Sequence, residues 1–219
     1  MLLDLKNGEP VSNALFDTIL PEKVRQFSRM HWTPVEVAIR AAELLAPDPR
    51  ARVLDVGSGA GKFCMIGALT TEGTFTGVER RSSLVEVAQK TVEALGVPRV
   101  SFTHENMADL DWSHYDSFYL FNPFYEHIKP MSRIDQHVLL GEAHFMQYVK
   151  IVEGKLARLR LGARVVTYHG FGGFFPPNFR RVIKEPQGND FLELWVSGLD
   201  ERIQSAGITP SLVETRHRG

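Results

Sequence analysis

Residues 51–62 read Ala-Arg-Val-Leu-Asp-Val-Gly-Ser-Gly-Ala-Gly-Lys, and the rest of the chain is arranged around them. A short apolar run of this kind is typical of a buried parallel strand. The glycines that follow, Gly57, Gly59 and Gly61, alternate with small residues, and glycine leaves no Cβ to keep a ligand away from the backbone. Residues 62–69 indicate the start of a helix. A strand, a glycine turn and a helix in this order bring backbone N–H groups to a small polar ligand.

The spacing of the glycines separates three classes of ligand that use such a turn. A phosphate-binding P-loop, G-x-x-x-x-G-K-[ST], fails because its first glycine falls on Val56 and its Ser or Thr falls on Phe63. A dinucleotide-binding turn, G-x-G-x-x-G, fits its first two glycines but places the third on Lys62. The string at residues 55–61 is instead D-x-G-x-G-x-G.

A second motif supports a nucleotide-like ligand. Residues 74–79 alternate as a strand does and end on Glu79, where nucleotide-binding βαβ units place a carboxylate that binds the ribose hydroxyls. Arg80 and Arg81 follow. A contact with a ribose 2′-phosphate, as in NADP enzymes, and a solvated basic pair are both open, and the solvated pair is favoured. Arg80 is included among the candidate cofactor-binding residues.

Together, these two motifs resemble those of the class I, seven-strand S-adenosylmethionine-dependent methyltransferases. The resemblance implies an α/β, Rossmann-like three-layer sandwich, with a mostly parallel seven-stranded sheet whose last strand is antiparallel. It also implies S-adenosyl-L-methionine as the cofactor, with Asp55 and the glycine turn at its methionine end. The residues that we expect to bind the cofactor are Thr33, Asp55, Gly57, Ser58, Gly59, Gly61, Glu79, Arg80, Asn106, Met107 and Asn122.

Thr33, Asn106 and Met107 are assigned from segments outside these two motifs. Thr33 is a good N-cap for a helix with Pro34 in its first turn, and Glu36 completes a capping box. In the family this helix begins near the methionine carboxylate, although ordinary capping is an equal alternative. Asn106 and Met107 follow the strand at residues 100–104, where the family contacts adenine. For Met107, core packing is the alternative.

The strand at residues 116–121 delivers Asn122-Pro123-Phe124-Tyr125 to the edge of the sheet where α/β proteins bind ligands. This tetrapeptide resembles the [D/N/S]-P-P-[Y/F/W] motif of amino-methyltransferases and differs from it at Phe124. The Asn122 side chain and the Pro123 carbonyl can accept the hydrogens of an amine and so orient its lone pair, and Tyr125 can stack on a planar substrate. Asn122, Pro123 and Tyr125 are therefore the candidate catalytic residues. A plain Asn-Pro turn is the alternative.

The remaining segments predict a single domain. We expect an N-terminal arm at residues 1–30, irregular to about residue 20 and followed by a short helix at 21–27 with Pro21 at its first position. A methyltransferase domain at 31–200, with an insertion at about 126–141 over the active site, and a tail at 201–219 follow. The insertion contains histidines but no metal-binding pattern, so no metal is predicted. A fifth strand at residues 163–168 and a pair of strands at 179–184 and 191–196 complete the sheet.

Composition narrows the possible functions only a little. The formal net charge is −1, the sequence pI is about 6.7, and there is one cysteine, which excludes an internal disulfide framework. The near-neutral charge favours a small-molecule or protein acceptor over nucleic acid. Neither a signal peptide nor a membrane-spanning run is expected, and the cytoplasm is the predicted location.

The sequence thus predicts a methyltransferase, with an amine of a protein, a nucleobase or a small molecule as the possible acceptor. Two alternatives stay open. One is an NAD(P)-dependent oxidoreductase, and the other is a non-catalytic protein that binds the cofactor or a partner.

Overall fold

A computed structural model describes residues 1–129, 133–135 and 139–198 of the 219-residue chain. Its centre is a seven-stranded sheet with the strand order β3-β2-β1-β4-β5-β7-β6. Only β7 runs against the other strands, because it pairs antiparallel with both β5 and β6. The predicted mostly parallel sheet with an antiparallel last strand is confirmed. The strands are β1 (Arg52–Val56), β2 (Thr74–Glu79), β3 (Val100–His104), β4 (Ser117–Phe121), β5 (Arg164–Tyr168), β6 (Phe179–Gln187) and β7 (Asp190–Ser197).

Helices cover both faces of the sheet, which explains why its central strands are apolar on both sides. On β4, Tyr119 packs into the core beneath α5 and α6, whereas Phe118 and Leu120 pack into the core beneath α8. The three-layer arrangement is therefore as predicted. The helices are α1 (Leu2–Lys6), α2 (Asn13–Asp17), α3 (Glu22–Arg25), α4 (Ser28–His31), α5 (Val35–Leu45), α6 (Lys62–Thr70), α7 (Ser82–Leu95) and α8 (Glu142–Leu156).

Residues 1 to about 20 differ from the predicted irregular structure, because they contain α1 and α2, and Leu5, Phe16 and Leu20 are buried in the core. The short helix predicted at residues 21–27 is present as α3, and α4 follows it, so the N-terminal segment is largely helical. A buried ion pair fixes it to the glycine turn, since the Lys62 ammonium lies 2.8 Å from Asp17. Short helices of this kind carry little periodicity, so packing against α6 decides their structure.

The start of α5 also differs from the prediction. Pro34, not Thr33, occupies the N-cap position, and no side chain of the helix itself caps it. The side-chain oxygen of Asn13 instead accepts the N–H of Val35 at 2.8 Å. Thr33 is buried and its hydroxyl lies 3.1 Å from the hydroxyl of Tyr119. A partner from α2 has replaced the local cap.

The predicted division into an arm, a domain and a tail remains a prediction. The tail at 201–219 lies outside the described residues, as do residues 130–132 and 136–138 of the predicted insertion. Within the described ranges, no helix is long and apolar enough to cross a membrane. The cytoplasmic location stays a prediction.

Candidate functional site

Two clefts open at the carboxyl edge of the sheet, one on each side of the loop that follows β4. The first encloses about 510 Å³ and the second about 1900 Å³, in both cases with the open solvent at the mouth included. Among the residues of the first are Gly57, Glu79, Arg80, Asn106, Met107, Pro123, Phe124 and Tyr148. Among those of the second are Arg25, Arg29, Trp32, Phe121, Asn122, Tyr125, Tyr168 and His169.

The glycine turn between β1 and α6 has a backbone that only glycine adopts easily. Gly57, Gly59 and Gly61 have φ angles of +80°, +53° and +81°. A Cβ at Gly59 would lie 2.2 Å from Cζ3 of Trp32, and one at Gly61 would lie 2.3 Å from Cζ of Phe102. The turn is thus fixed by conformation and by close packing at the same time.

Glu79 links the end of β2 to this turn. One carboxylate oxygen accepts the backbone N–H of Gly59 at 3.2 Å, and the other accepts that of Arg81 at 2.9 Å. The side chain is buried, and this burial raises the pKa of Glu79, against the effect of those hydrogen bonds. Glu79 lines the first cleft, at the position predicted for a ribose-binding carboxylate.

Arg81 is not part of a solvated basic pair. Its side chain is 8% exposed, and its guanidinium lies 2.8 Å from Glu126, 2.9 Å from Asp135 and 3.9 Å from Glu79. The prediction of a solvated basic pair is wrong for this residue, because Glu79 and two carboxylates from a distant part of the chain surround its guanidinium. Arg81 therefore ties the segment after β4 to the end of β2.

In the first cleft, the predicted residues Arg80 and Asn106 contact Tyr148, which the sequence analysis did not identify. The hydroxyl of Tyr148, on α8, receives hydrogen bonds from the Asn106 amide at 2.9 Å and from Arg80 at 3.2 Å. Phe124 stacks on the ring of Tyr148 at 5.2 Å between centroids, and Met107 is buried beside the cleft. Phe124 is the residue that departs from the amino-methyltransferase motif, and here its ring lines the cleft. No motif marks Tyr148, which reaches the cleft only because α8 folds back over it.

Asp55 and Ser58 are buried polar residues beside the turn. Asp55 accepts the weak S–H donor of Cys64 at 3.6 Å, and no cation of the described residues pairs with it. Burial raises the pKa of Asp55 to about 7. The Ser58 hydroxyl has no hydrogen-bond partner within the described ranges.

The loop after β4 separates the two clefts. Pro123 and Phe124 line the first, whereas Asn122 and Tyr125 line the second. Asn122 has a φ of +38°, which is uncommon for a residue other than glycine, and its N–H donates to the carbonyl of Gly170 at 3.0 Å. Such backbone outliers cluster at functional sites.

The structure thus brings together part of the predicted set. The predicted residues that line neither cleft are Thr33, Asp55, Ser58, Gly59 and Gly61. Of these, Gly59 and Gly61 are covered by aromatic rings, and Thr33 is engaged by Tyr119. Their roles in cofactor binding remain predictions. No group of side chains that could hold a metal ion occurs among the described residues.

Comparison with known proteins decides the class of fold. Residues 47–143 match a family described as a methyltransferase domain. The chain has the class I methyltransferase fold. An RNA methyltransferase from Salinibacter ruber, solved in complex with S-adenosyl-L-homocysteine, is 21% identical and has a TM-score of 0.57 over 83% of this chain and 99% of that one.

Two further structures agree with this class I fold. TrmN from Thermus thermophilus is 20% identical, with a TM-score of 0.56 over 80% of this chain. The match covers only 53% of TrmN, so this chain spans about half of its length. The putative methyltransferase yhhF from Escherichia coli is 13% identical, with a TM-score of 0.56 over 82% of this chain and 90% of that one. A search of curated proteins finds no match. The family match and the three structures thus agree on a methyltransferase fold.

Proposed function

We propose that the protein is an S-adenosylmethionine-dependent methyltransferase, not a nicotinamide-dependent oxidoreductase, and that it transfers the methyl group to an amine nitrogen held beside Asn122. The single observation that carries the proposal is the position of the loop after β4. Pro123 faces the cleft of Glu79, and Asn122 faces the cleft on the other side. A cofactor on one side and an acceptor on the other would meet at this loop.

The residues of the first cleft fit the adenosine part of the cofactor. Glu79 presents a buried carboxylate that can accept hydrogen bonds from ribose hydroxyls, and Met107, Phe124 and Tyr148 offer apolar and aromatic surface for a base. Asp55 is the residue that we assign to the amine of the methionine part, and a bound ammonium would favour the ionised carboxylate over the neutral form that burial favours. When bound, S-adenosylmethionine supplies a methyl group already activated on a sulfonium.

The task of the protein is then to position the acceptor. The Asn122 side-chain oxygen and the Pro123 carbonyl accept two N–H groups of the amine, so that its lone pair is directed at the methyl group. The amine nitrogen forms the new N–C bond while the S–C bond breaks, the sulfur keeps the electron pair, and a proton leaves the nitrogen to solvent. The rigid backbone of Asn122 suits this role, because a fixed orientation is the main source of catalysis here.

Tyr125 completes the acceptor side of the loop. Its ring lines the second cleft, and the ammonium of Lys129 lies 5.2 Å from the ring centroid. His127 is assigned no role as a base, because it lines the other cleft, away from Asn122. The acceptor molecule is left open here among small molecules, proteins and nucleobases.

The test is a transfer assay with a radiolabelled methyl group. Wild-type protein is incubated with labelled S-adenosylmethionine and fractionated cell extract, beside Asn122→Ala and Tyr125→Ala. We expect label in one acceptor class, lost in Asn122→Ala, while both variants bind S-adenosylhomocysteine as the wild type does. Cofactor binding with no transfer to any fraction would support the non-catalytic alternative and overturn the proposal.

A further inference from the structure

We infer that the second cleft accepts a nucleobase amine carried next to a phosphate, either in a free nucleotide or in a single strand of nucleic acid. This inference rests on the proposed function, because it names the acceptor of the same site. It goes beyond it by assigning the arginines of α3 and α4 to the acceptor. Three features of the cleft support the inference: its aromatic rings, its two unpaired arginines, and the pairing of its nearby acids with other residues.

Aromatic rings form much of the wall around Asn122. Trp32, Phe121, Tyr125 and Tyr168 all line the cleft. The rings of Phe121 and Tyr125 are partly exposed and form the surface open to a ligand, whereas Trp32 and Tyr168 are buried, with Tyr168 5.5 Å from Phe121 between centroids. Planar bases bind to such surfaces by stacking, which contributes roughly 1–3 kcal/mol per base in single-strand binding proteins. An aliphatic lysine side chain would gain less from these walls.

Two unpaired cations lie at the rim of the same cleft. Arg25 and Arg29 are exposed and line it, and no ion pair or hydrogen bond joins either guanidinium to another residue in the part of the chain that the structure describes. Most other arginines of these ranges have such partners, as Arg52 has Asp116 and Arg181 has Glu193. A guanidinium is suited to phosphate, which it binds through two parallel hydrogen bonds.

The acids close to the cleft do not cancel these charges. Asp17 lines the cleft but is paired with the buried ammonium of Lys62 at 2.8 Å. Asp190, next to the lining residue Asn189, is bound to the imidazole of His169. The rim therefore retains two positive charges that face the site of Asn122.

This local charge carries more weight than the net charge of the whole chain. The formal net charge of −1 is a sum over the whole chain. Taken by itself, this net charge makes nucleic acid the less favoured acceptor. A protein that binds a few nucleotides needs only a local basic rim. A cleft lined by both aromatic rings and two unpaired guanidinium groups matches a base and its adjoining phosphate.

The test measures binding to protein saturated with S-adenosylhomocysteine. The probes are a labelled 12-nucleotide single-stranded RNA, AMP and CMP, and the unphosphorylated nucleosides, between 50 and 200 mM salt. The variant is Arg25→Gln with Arg29→Gln, and the control is Arg50→Gln, whose side chain is 91% exposed and lines neither cleft. We expect the double variant to lose at least tenfold in RNA or nucleotide affinity, with Arg50→Gln unchanged.

The salt dependence of binding, compared between the wild type and the double variant, gives a second readout. Two lost phosphate contacts reduce the slope of log K against log salt by about 1.4 for a single strand. RNA that binds much more tightly than AMP or CMP would identify a strand as the source, and equal affinities would identify a free nucleotide. Either supports the inference.

Other outcomes would overturn the inference. Equal loss in Arg50→Gln would mean non-specific attraction, and methyl transfer to protein fractions alone would mean a protein acceptor. Failure to bind S-adenosylhomocysteine is a different result, because it contradicts the proposed function and not the assignment of the arginines. Since both arginines are exposed, the double variant is expected to fold, and its thermal unfolding is measured alongside.

Discussion

Pro123 packs directly against Gly57, since a Cβ at Gly57 would lie 3.4 Å from the Cβ of Pro123. The two residues come from motifs at the ends of neighbouring strands, β1 and β4, which pair in parallel. This contact joins the turn assigned to the cofactor to the loop assigned to the acceptor. It explains how two separate motifs of the sequence can form one reaction centre.

Gly59→Ala is expected to weaken cofactor binding by at least tenfold. The added Cβ would lie 2.2 Å from Cζ3 of Trp32, whose indole N–H is held by the carbonyl of Val24 at 3.2 Å, so the ring cannot easily move. The matched control is Gly96→Ala, which has a similar φ of +60° but no atom within 4 Å of the new Cβ. Calorimetric titration with S-adenosylhomocysteine should show the loss only in Gly59→Ala. A similar loss in both variants would mean that backbone strain, not packing on Trp32, is responsible.

Asn122→Ala is expected to lower kcat by about 100-fold or more, because positioning and hydrogen bonding to the reacting group are lost together. Alanine also fits poorly at a φ of +38°. Asn122→Gly removes the amide while it allows the same backbone. If the side chain orients the acceptor, the two variants are equally slow. Recovery of activity in Asn122→Gly would instead assign the effect to backbone conformation.

Asp55 should make the stability of the free protein depend on pH. Its pKa is about 7 in the folded protein and 3.8 for an ordinary aspartate, so between these values the native state keeps a proton that the unfolded chain has lost. As pH rises from 4 to 7, this group therefore lowers the free energy of unfolding by about 4 kcal/mol. Above pH 7 its contribution no longer changes. Asp55→Asn removes the contribution. Denaturant unfolding at pH 5, 6, 7 and 8 compares the two, and parallel curves would contradict the assignment.

Lys62→Met is expected to destabilise the protein by about 3 kcal/mol, because it leaves Asp17 charged and buried without its partner. Burial lowers the pKa of Lys62, and its hydrogen bond to Asp17 opposes this shift. Adding Asp17→Asn should restore at least half of the loss. Lys90→Met, at an exposed ion pair, should change stability by less than about 0.5 kcal/mol. Thermal unfolding measures all four proteins, and no recovery in the double variant would contradict the pairing.

The parts of the fold that sequence predicts well are those set by local pattern. The strand before Gly57, the helix after Gly61 and the strand ending on Glu79 each follow from periodicity and turn chemistry, and the structure has all three. Their order fixes the sheet, because parallel strands joined by helices have few arrangements.

The parts that it misses depend on contacts between distant segments. The cap of α5 is supplied by Asn13 from the N-terminal arm. The sequence around Thr33 resembles a local capping motif and therefore predicts a different cap. Arg81 is buried by Glu126 and Asp135, and Tyr148 reaches the cleft from α8. No spacing of residues encodes these pairings, since they arise only when the chain packs.

The most direct test of the central claim is calorimetric titration of the wild-type protein and Glu79→Gln with S-adenosylhomocysteine, with NADH as the control ligand. The account predicts micromolar binding by the wild type, about −8 kcal/mol, at least tenfold weaker binding by Glu79→Gln, and no binding of NADH. Binding of NADH, or equal affinity of both proteins for S-adenosylhomocysteine, would contradict the placement of the cofactor in the cleft of Glu79.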